Sequence, residues 1–492
     1  VLLPTFIGLI ANREEYRKVA IVVDVRSSEV FEDFIKSMND AKSNYGYDVK
    51  IVYLDIKTPV ALKRYKLTRR KHLTQLDRPP EQVAIPLRMS AGEESVPLVK
   101  PGDLVEVGQP IAGPGPGGAA VHASVSGRVS AIREQPHPWG GQSVAVVIRN
   151  DGQDTPWSGR PEPVILEEVT LDLLLDRVRE AGVVGMGGGA APTVQKLEQA
   201  AGKVDTVIIN GAECEPYVTA DHRLLLERSD QILQVTQVLA RCLGAHRAVV
   251  VTEGDKLNAA EVIERRLRKR GGKVELRTLR TRYPLGGEKQ IIQTVTGREV
   301  PLGKAAWEEK CLVLNVATVF AIQEALVKGK ALTHRAVTVT GGAVVRPRNL
   351  WVPIGTPLRV LLESAGGLRE RPELILTGGP MMGVAQEDLE APVVKNTNCV
   401  VCLTQEERRR AGPEGVCIRC GKCVAACPMH LAPMFIARAL RQREWRQLDR
   451  LHVEDCISCG CCSYICPAQI PLVDLVRQAA EHVGKGVDSH GA

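Results

Sequence analysis

The 492-residue chain lacks any run approaching the roughly 18 consecutive apolar residues that a spanning helix needs, which excludes a membrane span of that kind. Its opening stretch, VLLPTFIGLIANREEYRKV, lacks the basic leader and small-residue cleavage site of a secretory signal, so a cytoplasmic, reducing setting is expected. Strong charge of one sign is missing too. The net charge is +7, and part of it sits in LKRYKLTRRKH, Leu62 to His72, which reads as a solvated helix face and gives no nucleic-acid site. Hydrophobic residues at 44% and charged residues at 25% are ordinary for a soluble globular protein, and the length implies about three to five domains.

Cysteine is what the chain does hold, and unevenly. Nine of its 14 cysteines fall between Cys417 and Cys466. In a reducing compartment such clustering points to metal, not to disulfides. Structural zinc wants two CxxC pairs separated by a loop. Here Cys417, Cys420, Cys423 and Cys427 run up to Pro428, and Cys456, Cys459, Cys462 and Cys466 run up to Pro467. That is C-x2-C-x2-C-x3-C-P twice, the bacterial ferredoxin spacing. Three thiolates on one loop cap three corners of a 4Fe–4S cube, Gly421 and Gly460 let the backbone curl, and the fourth ligand comes from the other run. The expected sets are Cys417, Cys420, Cys423 with Cys466, and Cys456, Cys459, Cys462 with Cys427. Cys461 is off register and reads as a small filler. Cys399 and Cys402 read as packing residues on a strand, and His430 as structural.

Two clusters make an electron wire, and a wire needs a terminal. From about Val164 the pattern turns α/β: TVIIN (Thr206 to Asn210) and HRAVVVTEG read as buried strands, KLNAAEVIERRLRKRGG as an amphipathic helix, and KVELRTL as a strand. Such alternation implies a mostly parallel sheet with ligands at the carboxyl ends of its strands. Gly185, Gly187, Gly188 and Gly189 stand just before a helix opened by Pro192, where close backbone approach and free N–H groups suit a phosphate. The segment NGAECEPYVTADHR places Glu213 and Glu215 together after a strand end, a costly pairing unless a ligand or cation is near.

The segments GMGGGAAPTVQKL, NGAECEPY, RYPLGGEKQ and LNVATVFAI, in order with the double cluster motif, resemble the RnfC family of the Rnf electron transport complex over roughly Asp77 to Gln478. They are more distantly similar to the flavin-bearing component of respiratory complex I. The resemblance implies a non-covalent FMN exchanging hydride with NAD(H) and wired to the two 4Fe–4S clusters. It implies that Gly185, Gly187, Gly188 and Lys196 hold the flavin phosphate and ring edge. Asn210, Glu213 and Glu215 would line flavin and nicotinamide, with Glu213 and Glu215 as the catalytic pair and Glu288 nearby, and Asn315 and Thr318 would complete the phosphate cradle. One departure stands out. The complex I protein has an aromatic residue before the proline of its glycine loop, where this chain has Ala191, which weakens dinucleotide stacking.

The expected fold class is α/β multidomain. Residues 1–75 resemble the interior of the nucleotide-binding RNase adapter family, including DVRS at Asp24 to Ser27, without that family's phosphate-binding loop. Residues 76–163 read as a lipoyl-like barrel-sandwich whose tip offers Ser126, Gly127 and Arg128 and no lysine for a carrier role. A Rossmann-like FMN/NAD(H)-binding domain over 164–332, a β-grasp (SLBB) domain over 333–395, an α-helical two-cluster ferredoxin-like domain over 396–480 and a tail over 481–492 follow. The family further implies partners: other Rnf-type membrane subunits and a ferredoxin or cluster-bearing protein, with the chain peripheral on the cytoplasmic face of the plasma membrane. A cobalamin reductase sharing these motifs, or a docking scaffold that has lost dinucleotide binding, are the rival readings.

Overall fold

The computed structural model describes residues 71–270, 274–301, 303–408 and 412–487. The N-terminal stretch expected to resemble the adapter family, up to residue 70, lies outside the described residues, as does the end of the tail.

Strand β1 (Leu73–Gln75) belongs to a sheet completed much later in the chain. Strands β2 (Gln82–Pro86), β3 (Val96–Pro97), β4 (Leu104–Val105), β5 (Pro110–Gly113), β6 (Val121–His122), β7 (Gly127–Pro136) and β8 (Gln142–Asn150) build a barrel-sandwich. They form two antiparallel sheets, ordered β2-β8-β7-β4 and β3-β5-β6. The apolar residues close over one core, with Val83, Ile85, Ile111, Val129, Val146 and Ile148 inside. At the tip, Gly127 has φ +147°, and a Cβ there would stand 2.0 Å from the Arg149 carbonyl, so only glycine fits. Ser126 Oγ donates to Asp151 (2.6 Å) and the Arg128 guanidinium donates to the Gly102 carbonyl (2.6 Å). The tip side chains are thus committed to holding the barrel.

The next domain is a parallel sheet of β9 (Thr206–Asn210), β10 (Arg247–Glu253), β11 (Val274–Leu279) and β12 (Cys311–Asn315), ordered β11-β10-β9-β12. Its central strands are buried along nearly their whole length because helices cover both faces. These helices are α1 (Leu171–Glu180), α2 (Thr193–Ala200), α3 (Ala220–Glu227), α4 (Ser229–Leu243), α5 (Leu257–Arg270), α6 (Glu288–Thr296) and α7 (Val316–Lys328). The chain winds outward from β9 to β11, then crosses to lay β12 on the other side of β9. This reversal opens a crevice between β9 and β12, and at their carboxyl ends Asn210 and Asn315 are register partners.

Strands β13 (His334–Thr340), β14 (Arg348–Pro353), β15 (Leu374–Thr377), β16 (Val384–Ala385) and β17 (Cys399–Leu403), with helix α8 (Leu358–Ser364), form the β-grasp module. Its sheet is ordered β1-β14-β13-β17-β15-β16. Two strands from outside the expected 333–395 domain enter it: β1, from the end of the expected 1–75 fragment, runs parallel to β14 at one edge, and β17, from the expected 396–480 domain, is a central strand. Cys399 and Cys402 are fully buried on β17, one packed with Tyr217 and Val218 and the other with Val337 and Leu350. Residues three apart on a strand face opposite sides, so the two thiols serve two cores.

The cluster module comprises α9 (Lys422–Ala425), α10 (Pro433–Gln442), α11 (Trp445–Arg450), α12 (Cys461–Ile465) and α13 (Leu472–Val487). Each cysteine run ends in a short helix whose N-cap glycine, Gly421 at φ +72° or Gly460 at φ +75°, takes the left-handed turn. Ile436 and Ala439 of α10 pack on Val476 and Ala479 of α13. Among the described residues, no helix is long and apolar enough to cross a membrane.

Candidate functional site

The glycine loop closes on itself over the β9/β12 crevice. Gly185 N–H donates to the Ala191 carbonyl (2.8 Å) and Ala190 N–H donates back to the Gly185 carbonyl (3.1 Å). The loop is pinned from beneath by Thr318, fully buried in the first turn of α7, whose Oγ1 accepts from Met186 N–H (2.9 Å). A Cβ on Gly187 would stand 3.3 Å from the Asn315 side chain, whereas Gly188 and Gly189 face open space. Asn315 caps α7, accepting from Ala317 N–H (2.9 Å), and donates to Asp221 (2.6 Å). Asn210 accepts from Ala212 N–H (3.0 Å) and donates to the Gly286 carbonyl (2.8 Å), stitching the Arg282 to Gln290 loop to the strand end. Gly286 admits no side chain, since its Cβ would be 2.5 Å from the Ala212 carbonyl. Lys196 of α2 and Glu288 of α6 meet across the mouth at 2.7 Å. The structure therefore gathers Gly185, Gly187, Asn210, Asn315 and Thr318 at the switch point, with the Lys196–Glu288 pair at its rim.

The two glutamates of NGAECEP diverge. Glu213 accepts from the Asp221 and His222 N–H groups (2.8 and 3.2 Å) at the start of α3. Burial first, then the Asp221 carboxylate, pushes its pKa up to about 8, opposed by the Lys256 ammonium. Lys256, wholly buried, donates to the Glu213 carbonyl (2.9 Å), to Glu253 (2.8 Å) and to Asp255 (3.2 Å). Glu215 instead reaches the β-grasp module, accepting from Met381 N–H (3.1 Å), while its Oε1 is buried without a hydrogen-bond partner. Burial pushes its pKa up to about 7. Gly379 lies so close that a Cβ there would be 2.2 Å from Glu215 Oε2.

The cluster module abuts this same wall. Tyr283 of the Arg282 to Gln290 loop donates its hydroxyl to the Cys459 carbonyl (2.6 Å), and Gln290 donates to the Met429 sulfur (3.0 Å). Gly460 packs on the Met381 carbonyl. Cys427 of the first run joins Cys456, Cys459 and Cys462 around one hollow, walled by Leu431, Val473 and Val476. Burial raises the Cys456 and Cys462 thiols, and Cys427 is close enough to add to both. Burial likewise raises Cys423, with Cys466 of the second run adding. Cys417 and Cys420 are exposed, flanked by Val416 at 87% and Ile418 at 68% exposure.

Several residues escaped the sequence reading. Asp221 and Tyr283 lie inside the recognised segments without a signal to single them out. Lys256 reads as the first residue of the amphipathic KLNAAEVIERRLRKRGG helix, and Arg335 reads as one more strand residue. Arg335 is completely buried, donating to the Met186 and Thr397 carbonyls (2.7 and 3.0 Å), with Asp221 and Glu213 opposing the drop in its pKa that burial causes.

Comparison with known proteins adds five family matches. Residues 178–324 match the Nuo51 FMN-binding domain, 54–153 the RnfC barrel sandwich hybrid domain, 336–385 the SLBB domain and 416–470 a 4Fe-4S dicluster domain. Residues 1–90 match the RapZ-like N-terminal domain. The chain is 39% identical over 406 residues to the C component of the Na(+)-translocating ferredoxin:NAD(+) oxidoreductase complex of Acetobacterium woodii, covering 82% of this chain and 91% of that one. It is 41% identical over 360 residues to the C component of the proton-translocating ferredoxin:NAD(+) oxidoreductase complex of Clostridium ljungdahlii, covering 73% and 78%. With the C component of the ion-translocating oxidoreductase complex of Pectobacterium carotovorum it shares 40% identity over 401 residues, 81% of this chain and 53% of that relative.

Proposed function

The chain belongs to the RnfC family, the C components of ion-translocating ferredoxin:NAD(+) oxidoreductase complexes, and from that premise we propose that it moves electrons between NAD(H) and a ferredoxin-linked partner. FMN held in the switch-point crevice would supply hydride exchange and its division into single electrons, and two 4Fe–4S clusters would supply one-electron carriage. The residues present fit both groups. The cradle is open at Gly188 and Gly189, the buried Asp221 Oδ1 has no hydrogen-bond partner, and a cysteine-lined hollow takes thiolates from both runs.

In this reading Gly185, Gly187, Gly188, Asn315 and Thr318 bind and orient the flavin phosphate at the start of α7. Lys196 and Glu288 close the rim, and Asn210 sets the strand end against the ring. Glu213 and Glu215 line the face where nicotinamide would approach. With pKa values pushed up to about 8 and about 7, Glu213 and Glu215 are both able to hold a proton at neutral pH, and Glu215 Oε1 has no hydrogen-bond partner. Cys427, Cys456, Cys459 and Cys462, on the run that touches the flavin wall, would hold one cluster, and Cys417, Cys420, Cys423 and Cys466 would hold the other.

The observation that carries the reading is the Arg282 to Gln290 loop, which touches the crevice through Asn210 and the second cysteine run through Tyr283. Exit through the exposed first run suits the membrane-bound Rnf-type subunits or ferredoxin as the next carrier, with the chain peripheral on the cytoplasmic face. The test is anaerobic addition of NADH to the reconstituted protein. Bleaching of the flavin followed by cluster reduction is expected; a flavin that does not respond leaves only a scaffold. Glu213→Gln is expected to slow reduction by NADH with iron content intact, and an unchanged rate removes Glu213 from the nicotinamide site.

A further inference from the structure

The two cysteine sets present different faces to solvent. No residue next in sequence to Cys427, Cys456, Cys459 or Cys462 is exposed. Around the other set the reverse holds. Val416 and Ile418 flank Cys417, and Ile465, 39% exposed, precedes Cys466, with Tyr464 at 57% beside it. We propose that this apolar patch is the docking surface for a small iron–sulfur protein whose own cluster is rimmed by carboxylates. The inference rests on the electron-transfer reading and adds to it the partner's chemistry and the place where it binds.

Contacts within the module draw these residues together. Gly415 N–H donates to the Ala468 carbonyl (2.8 Å), laying the approach to Cys417 beside the segment that follows Cys466. Cys423 packs with Ala437 of α10, whose next residue, Arg438, is exposed and stands 5.6 Å over the Phe435 ring. Arg441, one turn further on, pairs with Glu414 and ties the helix to the start of the first run. Exposed apolar side chains gathered in one place mark a contact surface, whereas scattered ones do not. Charge chooses the occupant. Residues 412–422, 433–442 and 463–469 carry four cations, Arg419, Lys422, Arg438 and Arg441, against one carboxylate, Glu414. Arg441 takes up that carboxylate, which leaves Arg419, Lys422 and Arg438 without an acidic partner among the described residues. A second copy of the chain would set like charges face to face, at a cost in affinity. An anionic bilayer matches the charge but holds no acceptor for an electron. A carboxylate-rimmed cluster answers both needs. One electron crosses, the cluster held by the first run is oxidised as the partner's is reduced, and no bond or proton moves. So few side chains make a small contact, and the complex belongs with the weak, rapidly exchanging redox encounters that charge steers.

The probe is an acidic two-cluster ferredoxin, titrated by calorimetry into the flavin- and iron-loaded protein with both partners oxidised, so that the result does not depend on NADH. Binding is expected at low salt and should weaken about tenfold between about 20 and about 200 mM salt. Arg419→Glu combined with Arg438→Glu should weaken it about tenfold at the lower salt. Ile418→Ser should cost about threefold at either salt, with iron content unchanged. Should that variant lose iron, Val416→Ser, outside the ligand loop, makes the same test. A basic cytochrome of similar size should not bind. Absence of ferredoxin binding, equal binding of the cytochrome, or an affinity untouched by salt and by charge reversal overturns the proposal. So does failure of the ferredoxin where phosphatidylglycerol vesicles bind through the same arginines. A flavin that NADH does not bleach, with ferredoxin binding as described, leaves the docking surface standing and removes NADH as the electron source.

Discussion

Glu215→Gln tests the electrostatics of the flavin wall most directly. The carboxylate has one oxygen accepting from Met381 N–H and the other buried without a hydrogen-bond partner, so its charged form is poorly served. Between its ordinary value of 4.5 and about 7, the folded protein binds a proton at Glu215 that the unfolded chain releases. Stability therefore falls as pH rises through this window, and the favourable contribution is gone above about pH 7. The rise, at about 1.36 kcal/mol per pH unit, corresponds to about 3 kcal/mol. Glutamine keeps the bond from Met381 and cannot ionise, so the variant should match the wild type near pH 4.5 and exceed it by about 3 kcal/mol at pH 8. In a domain of this size that is roughly 6–12 °C in the midpoint. The assay is the anaerobic thermal midpoint of flavin release across pH 5–8 for both proteins. Wild-type and variant curves that stay parallel across that range refute the argument.

Tyr283→Phe strips the Cys459 carbonyl of its 2.6 Å donor and should slow electron passage from flavin to clusters, with iron content retained, as read by stopped-flow absorbance. Cys466→Ser should remove the cluster held by the first run and spare the other, roughly halving iron per chain; loss of the second-run cluster instead would reverse the proposed sharing. Lys256→Met leaves Glu253 buried without its cation and should destabilise the flavin domain by about 3–5 kcal/mol, measured by urea denaturation.

How far the sequence was legible depended on the range of the interaction. TVIIN announced a buried strand ending at Asn210 because apolar run and boundary lie within five residues. The cysteine runs were legible for a similar reason, since ligand spacing on one loop is local. The partnership of Gly187 with Asn315 was not, because it is created by the crossover that sets β12 beside β9. Glu213 and Glu215 look like a pair in sequence, yet adjacent backbone directions send one to α3 and the other to Met381 in a different module. Lys256 and Arg335 carry no local signal at all, since a charged residue is buried only when distant segments supply its partners.

The placement of β17 in the middle of the β-grasp sheet has a mechanical consequence. The strand that precedes the cluster module is laced on one side to β13 and on the other to β15, so the tether is anchored at Leu403, and the Tyr283 and Gln290 bonds hold the module against the flavin wall. Turnover should then be insensitive to solvent viscosity at this step, as for a fixed relay and unlike a swinging lever.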